Sequence, residues 1–142
     1  SLECSRAGAS AAAFWATLEL MPLTKSGLGS ILLSTIKAAE KFSSHLKELT
    51  GWKLYQEPDL DIAVYFKVPA EKSISNLNSI NQEVFDKGME LDKKGYHLSL
   101  YKIPSGTFSK KFPLLRSVFM KEEHEEFVDK LIERLIKSNP AR

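Results

Sequence analysis

Among the residues able to do chemistry, Arg116 has the most unusual setting. It stands in Leu114-Leu115-Arg116-Ser117-Val118-Phe119, an otherwise largely apolar run. Alternation along a strand puts Leu114, Arg116, Val118 and Met120 on one face and Leu115, Ser117 and Phe119 on the other. A charge placed there without a partner costs several kcal/mol, so the pattern predicts one. The partner is either a local Asp or Glu in a structural ion pair or the carboxylate of a ligand. A planar guanidinium meets a carboxylate with two parallel hydrogen bonds, which suits the second role as well as the first.

The other reactive residue types are less constrained. Arg6 precedes a helix, where an arginine is commonly just solvated. Cys4 has no neighbouring histidine to activate it and reads as a small buried residue. His45, His97 and His124 are far apart in sequence, and none has a Cys, His or Asp at metal-ligand spacing. The run Glu122-Glu123-His124-Glu125-Glu126 fans around a helix axis and reads as a solvated face. Gly27-Leu28-Gly29 precedes a helix but follows no strand and lacks the longer phosphate-loop pattern, so it reads as a turn. Tyr55, Tyr65, Tyr96 and Tyr101 fall on expected strands and suggest sheet packing.

The composition narrows the partners. Twenty basic residues against 18 acidic ones give a net charge of +2, too weak a field to imply nucleic acid or an anionic membrane. A single cysteine rules out an internal disulfide, and a reducing cytoplasmic setting is expected. No apolar run approaches the roughly 20 residues of a membrane span. At 142 residues and 43% hydrophobic, the chain is long enough for one cored domain and too short for a large α/β enzyme. The first residue is not methionine, and a fragment of a longer protein is expected.

Several elements must position these residues. A first helix starting between residues 7 and 10, with Ser5 or Ser10 as cap, runs to Leu20 and is ended by Pro22. A turn leads to a long helix over 30–49, whose Leu28, Leu32, Ile36, Ala39, Phe42, Leu46 and Leu49 form one stripe. Gly51 closes it. Strands are expected over 52–55 and 62–68, joined by the Glu57-Pro58-Asp59 turn as an antiparallel pair, with Ile62, Val64, Phe66 and Val68 on one face. A helix over 73–91 turns Ile74, Leu77, Ile80, Val84 and Leu91 inward. Strands over 96–103 and 114–120 follow, then a helix over 122–137 with Val128, Leu131, Ile132, Leu135 and Ile136 at core spacing. After two initial helices the order is β-β-α-β-β-α. This predicts an α+β class, with helices packed on one face of a small, mostly antiparallel sheet.

Ser5-Arg6, Ala7-Gly8-Ala9, Trp15 and Leu115-Arg116, in that order and approximate spacing, resemble the C-terminal part of group II pyridoxal-phosphate-dependent amino-acid decarboxylases. The resemblance covers essentially the whole chain. It departs from the family pattern where Pro22 and Ser26-Gly27-Leu28-Gly29-Ser30 replace a Gly-x-x-Gly-Tyr. It departs again where Met120-Lys121-Glu122-Glu123 replaces an Asn-Pro, Thr-rich helix cap.

The resemblance implies a single C-terminal small domain of a fold-type I enzyme over 1–142, with 1–49 as linking helices and 50–142 as the α+β portion. It implies a lyase of carboxylic acid metabolism whose amino-acid substrate is held through its α-carboxylate by Arg116. Ser5 and Arg6 would lie near the cofactor or a subunit interface. Pyridoxal phosphate would be bound mainly by an upstream domain that carries the Schiff-base lysine, so no catalytic or metal-ligating residue is expected in this segment. A homodimer is expected for the full-length protein and no activity for the 142 residues alone. Phe14, Trp15 and Leu18, with Leu2, look prepared to pack on that missing domain. Two alternatives stay open: a stand-alone α+β ligand-binding or regulatory module, and part of a related fold-type I lyase or aminotransferase.

Overall fold

The computed structural model describes residues 8–71, 73–89, 98–104 and 111–137. The chain divides into two compact units, residues 1–33 and 34–142. In the first, α1 (Ala9–Leu20) follows Gly8 as its N-cap, with no capping side chain. Ser10 therefore lies inside the helix rather than at its cap, and Ser5 falls outside the described residues. None of the α1 side chains is buried, and its apolar residues spread evenly around the axis. Pro22 ends it as expected, and the following turn is tight. A Cβ on Gly27 would collide with the Pro22 carbonyl oxygen, so only glycine fits.

Helix α2 (Leu28–Glu48) continues into the second unit, followed by β1 (Trp52–Gln56), β2 (Ile62–Lys67), α3 (Ile74–Met89), β3 (Ser99–Pro104), β4 (Lys111–Val118) and α4 (His124–Lys137). The turn from α2 into β1 uses Gly51 at φ +82°, a left-handed conformation that disfavours a side chain. The four strands are ordered β1-β2-β4-β3, and each neighbouring pair is antiparallel. The expected α+β arrangement is what is found.

One face of the sheet carries the core. Trp52, Ala63, Tyr65, Leu98, Leu115 and Phe119 meet Ala38, Ala39, Phe42 and Leu46 of α2, Val84 of α3, and Val128, Ile132 and Leu135 of α4. Phe42 lies at the centre, its ring 5.0 Å from that of Tyr65 and 5.4 Å from that of Phe119. The buried Tyr65 hydroxyl shares a 3.0 Å hydrogen bond with Ser117, which satisfies both of these buried hydroxyls. Helices α2 and α4 are further tied by Lys41, 2.8 Å from Asp129, with His45 3.3 Å from the same carboxylate.

One face, that of α3, differs from expectation. On α3, Ile74 is exposed and the buried positions are Asn81, Val84 and Gly88. The helix is rotated by about one residue relative to its most apolar stripe, and Asn81 is the reason. Its Oδ1 accepts from the Lys67 N–H at 2.8 Å, and its Nδ2 donates to the Lys67 carbonyl at 3.1 Å. The β2–β4 register pairs Val64 with Arg116 and Tyr65 with Leu115, so its continuation would set Lys67 against Pro113. Proline has no N–H to donate. The ladder stops, and the Asn81 carboxamide takes the place of the missing peptide group.

On β2, the core face is Ala63, Tyr65 and Lys67, not the more apolar face. Ile62 and Val64 point to the sheet's other side, where Ile62 is 42% exposed. A sheet this apolar on the side away from its helices has a second surface to be covered.

Candidate functional site

That second surface contains Arg116. Cross-strand neighbours share a face, and Arg116 stands between Val64 of β2 and Ser99 of β3. Tyr101 lies two pairs further along β3, opposite Leu114, and so on the same face. The Arg116 Nε donates to the Ser99 Oγ at 3.0 Å. This bond fixes the plane of the guanidinium and leaves its two terminal nitrogens, the fork that grips carboxylates. Among the described residues, no carboxylate comes within ion-pair distance of it.

Around the guanidinium is an open cavity of about 560 Å³, lined in part by Tyr55, Ile62, Val64, Tyr101 and Arg116. Asp59 and Asp61 contribute to its rim from the β1–β2 connection. That connection is anchored where the Phe119 N–H donates to the Asp61 carbonyl at 2.8 Å. A volume of this size suits a small organic ligand. Aromatic and aliphatic side chains flank the single cation, while Asp59 and Asp61 oppose an anion at the rim, so a carboxylate bound here would have to be held directly by the guanidinium fork.

Arg116 is on the face where alternation expected it, between Val64 and Ser99. Its neighbours were not foreseen: Ser99, Tyr55 and Tyr101 reach it through the sheet. Ser5, Arg6, Cys4, Tyr96 and His97 lie outside the described residues. His45 pairs with Asp129, and His124 packs edge-on against Phe119 at 6.2 Å. No group of three or more His, Cys, Asp or Glu among the described residues could hold a metal ion.

The turn before α2 is not a phosphate cradle. At the start of α2 the amide of Leu28 donates to the Pro22 carbonyl, and that of Gly29 to the Thr24 carbonyl, both at 3.0 Å. The Gly27 amide donates to the Thr24 hydroxyl at 3.1 Å. Amides closed into their own turn are not offered to an anion, which supports reading Gly27-Leu28-Gly29 as a turn. No described helix is long and apolar enough to cross a membrane.

Comparison with known proteins adds an independent line. No family model matches the chain. It is 26% identical to an L-tyrosine decarboxylase of Enterococcus faecium over 94% of its own length, and spans only 21% of that relative. Its fold matches that of mouse CSAD in apo form with a TM-score of 0.71 and 16% identity, covering 98% of this chain and 29% of that one. It also matches Catharanthus roseus tryptophan decarboxylase, solved in complex with L-tryptophan, with a TM-score of 0.62 and 17% identity over 87% of this chain and 25% of that one. In sequence and in fold, the chain is a relative of the group II pyridoxal-phosphate-dependent amino-acid decarboxylases, matched to a portion of such an enzyme.

Proposed function

We propose that this chain is the C-terminal domain of a pyridoxal-phosphate-dependent amino-acid decarboxylase, and that Arg116 binds the α-carboxylate of the substrate. The observation that carries the proposal is the Arg116 guanidinium, held by Ser99 on the open face of the sheet and lacking a carboxylate partner among the described residues. The 21% share of the Enterococcus faecium relative that this chain spans supports assigning the remaining machinery to a longer protein. The cofactor and its lysine are assigned to an upstream domain, in line with the family resemblance. The 142 residues alone are then inactive.

In this division of labour, the chain orients its substrate. Two terminal nitrogens on a fixed guanidinium plane set the direction of the carboxylate. The apolar side chains of Ile62 and Val64 keep water from competing for it. The bond to be broken joins that carboxylate to the α-carbon, so fixing the carboxylate fixes the angle of the scissile bond. The exposed apolar residues of the first unit, Phe14 and Trp15 at 65% and Leu20 at 83% exposure, support a role for that unit in packing against the upstream domain.

The test is kinetic, on the longer enzyme. Arg116→Gln removes two charge-assisted hydrogen bonds, worth about 1.5–3 kcal/mol each before water replaces them. The expected result is a fall in kcat/KM of about 10²–10³, with bound cofactor unchanged. Arg116→Lys keeps the charge but loses the fork and recovers part of the loss. If kcat/KM stays within about threefold of the parent in both variants, Arg116 does not bind the substrate carboxylate.

A further inference from the structure

The cavity over Arg116 holds charges of both signs that do not meet. Asp59 and Asp61 line it together with Arg116. Among the described residues, neither carboxylate is in an ion pair, and neither reaches the guanidinium. Strand geometry keeps them apart. Arg116 is paired with Val64, and Asp61 precedes Val64 by three residues, which is about 10 Å along an extended strand. Both ends are fixed: Ser99 holds the Arg116 Nε, and the Phe119 N–H holds the Asp61 main chain. Asp61 is half-buried, whereas Asp59 is exposed.

Opposite charges held apart across one cavity complement a ligand that carries its own charges in the reverse order. One end of that ligand is an anion for Arg116, and the other is a cation for the carboxylates. The α-ammonium of an amino acid does not meet this need, because it shares a carbon with the α-carboxylate. The cation has to stand at the end of a long side chain. What lies between the charges suits a hydrocarbon stem: Ile62 and Val64 line the cavity from the sheet, and Tyr55 and Tyr101 flank it, where an aromatic face also attracts a cation. A side chain ending in a carboxylate would be repelled by Asp59 and Asp61, and an uncharged one would leave them unanswered.

We propose that the substrate of this site is an amino acid with a cationic side chain of about the length of lysine, and that Asp61 is the residue that selects it. The proposal rests on the reading of Arg116 as the ligand of the α-carboxylate. Arg116 takes the carboxylate with its fork, and the stem lies over Ile62 and Val64. The side-chain ammonium donates to the Asp61 carboxylate in a charge-assisted hydrogen bond. Asp59, exposed at the rim, adds attraction without fixing position. Selection of this kind is a difference between substrates, and a neutral side chain loses because it desolvates the Asp61 carboxylate without giving it a partner.

The test is a substrate comparison on the longer enzyme. L-lysine is set against L-norleucine, which has the same stem without the ammonium, and against L-glutamate and L-tyrosine. Lysine is expected to exceed norleucine in kcat/KM by about a hundredfold or more, and to exceed glutamate and tyrosine as well. Asp61→Asn should lower the lysine-to-norleucine ratio by about tenfold or more, with bound cofactor unchanged. Asp61→Lys should raise glutamate above lysine, a gain that loss of structure does not produce. Arg116→Gln should lower kcat/KM for lysine and norleucine alike and keep their ratio, so the two readings separate. No loss in Arg116→Gln removes the carboxylate reading and this inference with it, whereas an unchanged ratio in Asp61→Asn removes this inference alone. A parent enzyme that does not turn over lysine, or that turns over norleucine, glutamate or tyrosine as well as lysine, would also overturn the proposal.

Discussion

Replacing Asn81 with alanine isolates one feature of this fold, the side chain that completes a strand ladder where a proline cannot. Asn81 is fully buried. Its carboxamide makes three hydrogen bonds: two to the Lys67 main chain, and one from Nδ2 to the Leu77 carbonyl at 2.8 Å. Alanine leaves the Lys67 N–H and carbonyl without those partners in the interior, and each such group costs about 1–3 kcal/mol. The Leu77 carbonyl keeps its place in α3 and adds little. The expected loss is therefore about 2–6 kcal/mol, with about 3 as the central value. At a urea slope of about 1.5 kcal/mol per molar for a domain of this size, that moves the unfolding midpoint down by about 2 M. Asn81→Asp should not rescue it, because a carboxylate can accept from the Lys67 N–H but cannot donate to the Lys67 carbonyl. Urea titration followed by far-ultraviolet circular dichroism reads the effect. A loss below about 0.5 kcal/mol in Asn81→Ala, at unchanged slope, would refute the idea that this carboxamide substitutes for a strand partner.

Two further predictions concern the packing around this feature. Phe42→Ala removes the ring at the centre of the core and should destabilise by about 3–5 kcal/mol, measured by the same titration; a loss under about 1.5 kcal/mol would mean that the cluster closes over the gap. Asp129 has its pKa lowered, chiefly by the hydrogen bond from Lys41, with Lys41 and His45 adding charge. A carboxylate with a depressed folded-state pKa contributes stability above its unfolded pKa and loses it as the pH falls through the folded value. Wild type should therefore exceed Asp129→Asn in midpoint temperature at pH 6, and the gap should shrink toward zero as the pH falls below about 4. A gap that is constant with pH would assign the difference to packing.

How much of this was legible in the residues depends on where each signal lies. The element order was readable because α2, β2 and α4 carry strong periodicity over their lengths. Arg116 was readable because a charge interrupts an apolar alternation. Its surroundings were not, since Ser99, Val64 and Tyr101 become neighbours only through strand register, and register is a property of pairs. β2 has an apolar face at Ile62 and Val64 and a mixed one at Ala63, Tyr65 and Lys67, and ordinary hydrophobic ranking picks the wrong one for the core. The mixed face wins because Tyr65 can satisfy its hydroxyl on Ser117 and Lys67 can lead into a cavity. On α3 the apolar stripe through Ile74 and Ile80 misplaces the buried side for the same reason: a polar residue with a structural task, Asn81, overrides it. Pro113 was the one advance sign, because a proline beside a strand raises the question of what completes the ladder. β4 starts at Lys111, three residues ahead of expectation, because Pro113 sits where only β3 pairs with it.

We propose that this chain recognises substrate for a pyridoxal-phosphate enzyme whose cofactor site lies elsewhere in a longer protein. The most direct test is cofactor trapping: the 142-residue chain and the longer gene product are each incubated with pyridoxal phosphate, reduced with borohydride, and compared by absorbance and intact mass. A single reducible adduct on the longer protein, mapping outside these 142 residues, with no specific adduct on the chain alone, is the predicted result. A stoichiometric pyridoxal-phosphate adduct at one lysine of the chain alone, or no cofactor on the longer protein, would contradict it.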